Sequence, residues 1–184
     1  MLKKLEADLK EAILDLPIKE KEKLLIRLIR KDKTLINQLH FQLLEDESDL
    51  EDRRKTTLKN IDAAIKQIMS AHQNRYYNPR KLLLDLRTIS GYVNSHFLIT
   101  KDKIGEIELR LHILLEIFEN VPDFFRHDDY HHEKLLKYTA GRIKNAFTSY
   151  NKLHEDIQYD YQDKMEAALQ FARSSALKNY LSDL

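Results

Sequence analysis

Apolar residues recur every three or four positions along most of this chain, which is the spacing that places them on one face of an α-helix. Pro17 ends the first such segment, because the residue before a proline disfavours helical geometry, and Pro17 itself suits the first turn of the next helix. The pattern therefore predicts three short helices before position 45. Their predicted inner faces are Leu2, Leu5, Leu9 and Ile13, then Leu24, Leu25, Leu28 and Ile29, and then Leu35, Ile36, Leu39 and Leu43.

Longer helices are predicted in the rest of the chain. Six acidic residues at positions 45–52 indicate a solvated connection that leads into a long helix with Ile61, Ile65 and Ile68 on its apolar face. Residues 104–121 are apolar on more than one side, which predicts a central helix with neighbours on two sides. From about position 129 the helical pattern continues to Ala172. One very long helix, or two helices broken within residues 151–163, would satisfy it.

The whole pattern favours an all-α fold, because no strict apolar and polar alternation with hairpin turn residues occurs. We expect about six to eight helices packed as stacked antiparallel hairpins, with a long helical segment at the C-terminus. An irregular bundle and a right-handed superhelix of the HEAT type both fit. We expect one domain over residues 1–184, with a subdivision into a three-helix part at 1–45 and a main body at 50–184 as the alternative.

The composition excludes several functional classes. The chain has no cysteine among its 184 residues, so it can form neither a disulfide nor a thiolate metal site and has no cysteine nucleophile. Its three glycines, Gly91, Gly105 and Gly141, lie too far apart to form a phosphate-binding loop. No apolar run suits a signal peptide or a membrane span. We therefore expect a cytoplasmic protein with no membrane partner and no cofactor, and we assign no catalytic residue.

Residues 53–103 concentrate positive charge, with eleven Lys and Arg against three Asp, although the formal net charge of the whole chain is only +1. Clustered cations bind phosphates and tyrosine rings stack on bases, so one hypothesis is nucleic-acid binding. The alternatives are a solvated helix face and an acidic protein partner, including residues 45–52 of the same or another copy. The candidate nucleic-acid-binding residues are Arg53, Arg54, Lys55, Lys59, Arg75, Tyr76, Tyr77, Arg80 and Lys81.

Histidine and carboxylate side chains gather on both sides of Pro122. Imidazole and carboxylate groups bind zinc, iron and manganese, and a chain reversal at Pro122 would bring His112 and His132 towards each other. Neither the HExxH nor the Glu-x-x-His spacing occurs there. The competing interpretation is a polar outer face followed by a histidine-rich loop. The candidate metal ligands are His112, Glu116, His127, Asp128, His131 and His132.

The C-terminal segment is rich in aromatic residues. Core packing is one interpretation, and a surface for another protein or for self-association is the other. The residues that would form this surface are Tyr159, Tyr161, Phe171 and Tyr180.

The opening of the chain also carries a resemblance. The segment Leu-Pro-Ile-Lys-Glu at 16–20 starts a leucine-rich helix, Lys-Asp-Lys follows at 31–33, and Leu-His-Phe-Gln-Leu-Leu at 39–44 precedes the acidic connection. This arrangement, over about the first third of the chain, resembles a bacterial all-helical domain family of unknown function. The resemblance implies an all-helical fold and implies no activity.

Three hypotheses about function follow. The first is a non-enzymatic helical module that binds another protein or acts as a scaffold, through a groove between helices or through the aromatic C-terminal surface. The second is nucleic-acid binding through residues 53–81. The third is a metal-dependent enzyme with a histidine and carboxylate site.

Overall fold

A computed structural model of the protein describes residues 5–74 and 76–181. In these residues it contains eight α-helices, two short 3-10 helices and no strand, which confirms the predicted all-α fold. The chain divides into two compact units, Met1–Glu45 and Asp46–Leu184. We call them the N-terminal unit and the second unit. None of the helices in the described residues combines the length and the apolar character that crossing a lipid bilayer requires.

The N-terminal unit contains the three predicted short helices, α1 (Ala7–Asp15), α2 (Ile18–Ile29) and α3 (Lys33–Leu44). Pro17 separates α1 from α2, as predicted. Asp32 begins α3, because its carboxylate accepts hydrogen bonds from the backbone N–H groups of Thr34 at 2.9 Å and Leu35 at 3.1 Å. Local signals in the sequence therefore account for where these helices start and end.

The apolar faces of the N-terminal unit are poorly covered. None of residues 5–45 is buried. Leu24 and Ile29 are half-buried, but Leu25 is 58% exposed and Leu28 is 51% exposed. The predicted inner face of α3 is wrong at two positions, Ile36, which is 41% exposed, and Leu43, which is 74% exposed. Three helices of nine to twelve residues offer too little surface to enclose one another, so spacing alone does not lead to burial here.

The second unit contains five longer helices. They are α4 (Glu47–His72), α5 (Pro79–Thr100), α6 (Lys103–Asn120), α7 (Glu133–Tyr150) and α8 (Glu155–Ser174), with 3-10 helices at Pro122–Phe125 and Ala176–Tyr180. The pattern after position 129 thus forms two helices, and the chain breaks between Tyr150 and Glu155. The acidic connection caps α4, because Asp46 accepts from the backbone N–H of Asp49 while the Asp49 carboxylate accepts from the backbone N–H of Asp46.

Helix α6 is the centre of the second unit. It packs against α4, α5, α7 and α8, as its apolar character on more than one side predicted. Helix α6 therefore has neighbours on several sides, as the central helix of a helical bundle does. Large, fully buried side chains from α4, α5, α6 and α7 fill the space around α6, and α8 adds the small side chains of Ala168 and Ala172. The largest of these are Ile61, Leu82, Ile89, Ile107, Leu109, Leu111, Ile117, Leu135, Leu136 and Ile143.

A buried ionic contact joins α4 to the tight connection between α5 and α6. The Asp102 carboxylate accepts hydrogen bonds from Arg54 Nε at 3.0 Å and Arg54 Nη2 at 2.9 Å, and His96 Nε2 lies 3.2 Å from it. Asp102 also caps α6 by accepting from the backbone N–H of Gly105 at 2.8 Å. A Cβ atom at Gly105 would collide with the Asp102 carboxylate and would lie 2.6 Å from Arg54 Nε. Gly105 therefore makes room for the ion pair.

Candidate functional site

The basic segment does not form one continuous patch. Arg54 points into the second unit and pairs with Asp102, and its Nη1 lies 3.5 Å from Glu108 Oε2. Lys55 extends along the surface of α4, with its Nζ 3.7 Å from Glu51 and 4.0 Å from Asp52. The charges of these two residues are thus balanced by nearby carboxylates. Arg53 is half-buried and Lys59 is exposed on the same helix.

The two tyrosines before α5 lie in different environments. Tyr76 is 67% exposed. Tyr77 packs edge-on against Phe124, with ring centroids 5.8 Å apart, and its hydroxyl donates to the Asp85 carboxylate at 2.7 Å. Burial and this hydrogen bond raise the pKa of Tyr77. Arg75 lies outside the described residues, while Arg80 and Lys81 are exposed in the first turn of α5. Tyr77 is therefore a packing residue and does not present its ring for stacking.

The candidate metal ligands do not converge on one site, because each contacts a different partner. His112 Nε2 lies 2.6 Å from Asp62 Oδ1, and His132 Nδ1 lies 2.8 Å from Asp129 Oδ1. Glu116 accepts a hydrogen bond at 3.3 Å from Asn120 of the next helical turn.

Asp128 and His127 also contact partners of their own. Asp128 accepts hydrogen bonds from Asn179 at 2.7 Å and from Tyr180 at 2.6 Å, which lower the pKa of its carboxyl. The rings of His127 and His132 lie 6.1 Å apart. Over residues 5–74 and 76–181, no group of three or more His, Asp or Glu side chains could hold a metal ion. The geometry adds no support to the hypothesis of a metal-dependent enzyme.

An aromatic cluster does form at the C-terminal end, but most of it packs against the core. Phe171 stacks on Phe118 with ring centroids 4.2 Å apart. Tyr161 and Tyr180 are half-buried. The Tyr180 hydroxyl donates a hydrogen bond to Asp128, and this bond raises the pKa of Tyr180 to about 12. Tyr159, at 79% exposure, is the member of the proposed aromatic surface that remains largely open to solvent. One exposed ring is a small surface for recruiting a partner.

A surface groove of the second unit brings together residues from two of the predicted groups. We call it the basic cleft, and its space measures about 1340 Å³ when counted out to its open mouth. One wall belongs to the first half of α5 and the other to the start of α7 and the turn before it. The residues that form it are Pro79, Arg80, Leu83, Leu84, Arg87, Tyr130, His131, Lys134 and Leu135.

Helix periodicity positions the α5 wall of the basic cleft. Arg80, Leu83, Leu84 and Arg87 are spaced by three, one and three residues, so their side chains share one face of α5. The N-terminus of α5 is well capped, because Pro79 suits the first turn and the Asn78 side chain accepts a hydrogen bond from the backbone N–H of Lys81 at 3.1 Å. The α5 wall therefore places two leucines between two cations.

The opposite wall depends on an aspartate-capped turn. The Asp129 carboxylate accepts hydrogen bonds from the backbone N–H groups of His131 at 2.8 Å and His132 at 3.1 Å. This turn presents the Tyr130 ring, which is 82% exposed and lies edge-on to the His131 ring at 5.8 Å. Lys134 follows on the first turn of α7. An aromatic ring, an imidazole and a cation thus stand on one side of the cleft.

The charged residues that form the basic cleft are all cationic. Arg80, Arg87 and Lys134 carry positive charges, and none of the nine residues that form the cleft is acidic. Leu83 and Leu135 are buried in its floor, whereas Leu84 remains 52% exposed. Cations around an apolar floor can hold an anionic ligand and an apolar group together.

Sequence reasoning found only part of this cleft. It assigned Arg80 to a nucleic-acid surface and His131 to a metal site, and it missed Leu84, Arg87 and Lys134. The spacing of Arg80, Leu84 and Arg87 is a signal for a second functional face on α5. No spacing indicates Lys134, because it joins the cleft through the packing of α7 beside α5.

No model of a protein family, no curated protein and no solved structure matches this chain.

Proposed function

We propose that this protein is a non-enzymatic protein-binding module whose basic cleft binds an acidic segment of a partner protein that also carries a large apolar side chain. The observation that carries this proposal is the composition of the cleft, which combines three permanent cations with an apolar floor and has no acidic member. Acidic side chains of the partner would pair with Arg80, Arg87 and Lys134. An apolar side chain would cover Leu84 and the ring of Tyr130, both of which are now exposed to water.

The apolar character of the cleft favours a protein partner over a nucleic acid. Pro79, three leucines and Tyr130 make up five of the nine residues that form it. A phosphate backbone binds mainly through cations and would leave the exposed Leu84 without an apolar contact. Two residues of the basic segment, Arg54 and Tyr77, are also engaged inside the bundle. Nucleic-acid binding remains the second candidate, because Tyr130 is an exposed ring beside cations and could stack on a base.

The test is a fluorescence anisotropy titration of the full chain with a labelled peptide that alternates Glu with Leu. A peptide that alternates Lys with Leu and a single-stranded oligothymidylate are the comparison probes. The double variant Arg80→Glu with Lys134→Glu reverses two charges of the cleft. The matched control, Lys59→Glu with Lys66→Glu, makes the same charge change on exposed positions of α4.

We expect saturable binding of the acidic peptide that weakens with salt, and roughly a tenfold or greater loss of affinity in the cleft variant. The control variant should bind within about twofold of wild type. Absence of binding, or an equal loss in both variants, would contradict the proposal. If the oligothymidylate binds and the acidic peptide does not, and the cleft variant abolishes that binding, the nucleic-acid candidate replaces it.

A further inference from the structure

The N-terminal unit holds a large share of the exposed apolar side chains. Ten of the seventeen large hydrophobic residues that are exposed in the described chain lie in this unit, which supplies less than a quarter of the described residues. Their exposed fractions run from 41% at Ile36 to 74% at Ile18 and Leu43. Single exposed apolar residues are normal on a protein surface, whereas a concentration of them marks an interaction surface.

The N-terminal unit also lacks the internal devices that stabilise units of its size. Domains of about 40 residues depend on disulfides, bound metals or oligomerisation, because they bury too little surface on folding. The chain has no cysteine, and no group of ligands in the described residues could hold a metal ion. Of these three devices, association with another chain is the one that the N-terminal unit can use.

The charges of the N-terminal unit are balanced in total and separated between helices. Residues 5–45 contain eight Lys and Arg and eight Asp and Glu. Helix α1 with its cap, residues 6–15, has four acids and one lysine, whereas residues 18–31 of α2 and its C-terminal turn have six cations and two glutamates. An anionic lipid surface would attract α2 and repel α1. A second copy of the chain instead offers each of these helices a partner of opposite charge.

A shallow groove on α2 places cations around an apolar residue. We call it the α2 groove, and the residues that form it are Lys19, Glu22, Lys23, Ile26, Arg27 and Arg30. Ile26 is 50% exposed there. All six residues belong to α2 and the turn that ends it, so no residue of α1 from the same copy forms this groove. The α2 groove is therefore open to an acidic helix that carries an apolar side chain.

Helix α1 presents the complementary face. Asp8, Glu11 and Asp15 are spaced by three and four residues, so their side chains share one side of the helix, and all three are exposed. Leu9, which is 50% exposed, lies on the adjoining side. Acids and an apolar residue thus stand next to each other on α1, as cations and Ile26 do on α2.

We propose that two copies of this chain associate about a two-fold axis, with α1 of each copy lying in the α2 groove of the other. The acids of α1 pair with the cations of the groove, and Leu9 covers Ile26. The exchange is reciprocal, as in any interface in which two copies use the same surface. The proposal does not rest on the protein-binding function, since no residue of the N-terminal unit forms the basic cleft.

The apolar area of the N-terminal unit sets the expected strength of this dimer. Burial of one aliphatic side chain removes roughly 100 Å² from water, so ten partly exposed side chains offer at most on the order of 600 Å² per copy. A total of about 1,200 Å² is at the lower end for specific interfaces. We therefore expect a Kd on the order of tens of micromolar. On dilution the dimer dissociates to a monomer with the uncovered faces described above.

The test is sedimentation velocity of the full chain from about 1 µM to about 300 µM, a range that brackets this Kd. The α1 variant is Glu11→Lys with Asp15→Lys, and the α2 variant is Lys19→Glu with Lys23→Glu. Each change suits its helix, because cations are favourable in the last turn and anions in the first. Each variant alone brings like charges together at both contacts of its dimer. An equimolar mixture of the two variants brings opposite charges together at both contacts.

Two control variants make the same charge changes in the second unit. Asp160→Lys with Asp163→Lys on α8 matches the α1 variant, and Lys59→Glu with Lys66→Glu on α4 matches the α2 variant; all four positions are exposed. Thermal unfolding and the amide NMR shifts of α1 and α2 verify that each variant is folded and retains its helices.

We expect the mass of the wild type to rise from that of a monomer towards that of a dimer with increasing concentration. Each variant alone should associate at least about tenfold more weakly, and the mixture should recover the wild-type affinity to within about threefold. The control variants should associate as the wild type does.

Four results would overturn the proposal. The first is a wild type that stays monomeric over the whole range; cosedimentation of that monomer with phosphatidylglycerol vesicles would assign the surface to lipid instead. The second is association that both folded variants retain. The third is a mixture that associates no better than either variant alone. The fourth is growth beyond a dimer, which a closed two-fold pair does not allow.

Discussion

The two units of this chain are both rich in leucine and isoleucine, yet only one of them has a core. Every buried residue lies between Ile61 and Leu181, and none of residues 5–45 is buried. The difference lies in the number and length of the helices. Helices of 18 to 26 residues surround α6 on several sides, whereas α1 to α3 have nine to twelve residues and no central helix. Apolar periodicity creates a helix face, and burial requires enough neighbours to cover it.

The largest expected difference in the free energy of unfolding is between a leucine variant in the core and a leucine variant in the N-terminal unit. Leu111→Ala removes a fully buried side chain of α6 and should lower the free energy of unfolding by about 2 to 5 kcal/mol. Leu25→Ala, at a position that is 58% exposed, should cost less than about 1 kcal/mol. Urea unfolding of both variants makes the measurement. Equal losses would show that Leu25 is covered as well as Leu111 is.

The next effect tests the buried ion pair. Asp102→Asn removes the charge that balances Arg54 in a site where the Asp102 side chain is only 5% exposed. The free energy of unfolding should fall by roughly 2 to 4 kcal/mol, because a buried charge loses its partner. Asp62→Asn is the matched control, since Asp62 pairs with His112 and is 42% exposed. The control should cost less than about 1 kcal/mol, and a comparable loss at both positions would refute the distinction.

These residues show which features of the structure the sequence predicts and which it does not. The central place of α6 was predictable, because its apolar residues point in several directions and only a bundle centre buries them all. The partners of Arg54 and His112 were not, because Asp102 lies 48 residues from Arg54 and Asp62 lies 50 residues from His112. Spacing along one helix carries no information about such contacts. For the same reason, the sequence pattern predicts Arg80 as a binding residue but not Lys134, which lies on a different helix of the basic cleft.

A pH dependence follows from Asp102. Burial by itself would raise the pKa of its carboxyl, but hydrogen bonds from His96, Gly105 and Arg54 outweigh burial and lower the pKa from 3.8 to about 2. The ionised carboxylate therefore contributes stability that is fully present above about pH 4 and is lost as the pH falls towards 2. The contribution is about 2 kcal/mol.

The comparison that isolates this contribution uses urea unfolding of wild type and Asp102→Asn at pH 5 and at pH 3. The gap in stability between the two proteins should narrow at the lower pH. A gap that stays constant would mean that Asp102 titrates at its ordinary pKa in the folded protein.

The smallest effect concerns the start of α3 in the N-terminal unit. Asp32→Ala removes the cap that accepts from Thr34 and Leu35, and should cost about 1 kcal/mol of helix stability. Amide NMR should show loss of helical shifts in α3, with the shifts of α6 unchanged. A change that spread to α6 would show that α3 supports the core.

Native-state amide hydrogen exchange of the full chain tests the contrast between the two units most directly. Amides of α5, α6 and α7 should exchange only by global unfolding of the second unit, since these helices hold most of the buried side chains. Amides of α1, α2 and α3 should exchange faster by at least about a hundredfold, through local opening of helices without a core. Protection in α1 to α3 equal to that in α6 would contradict the account.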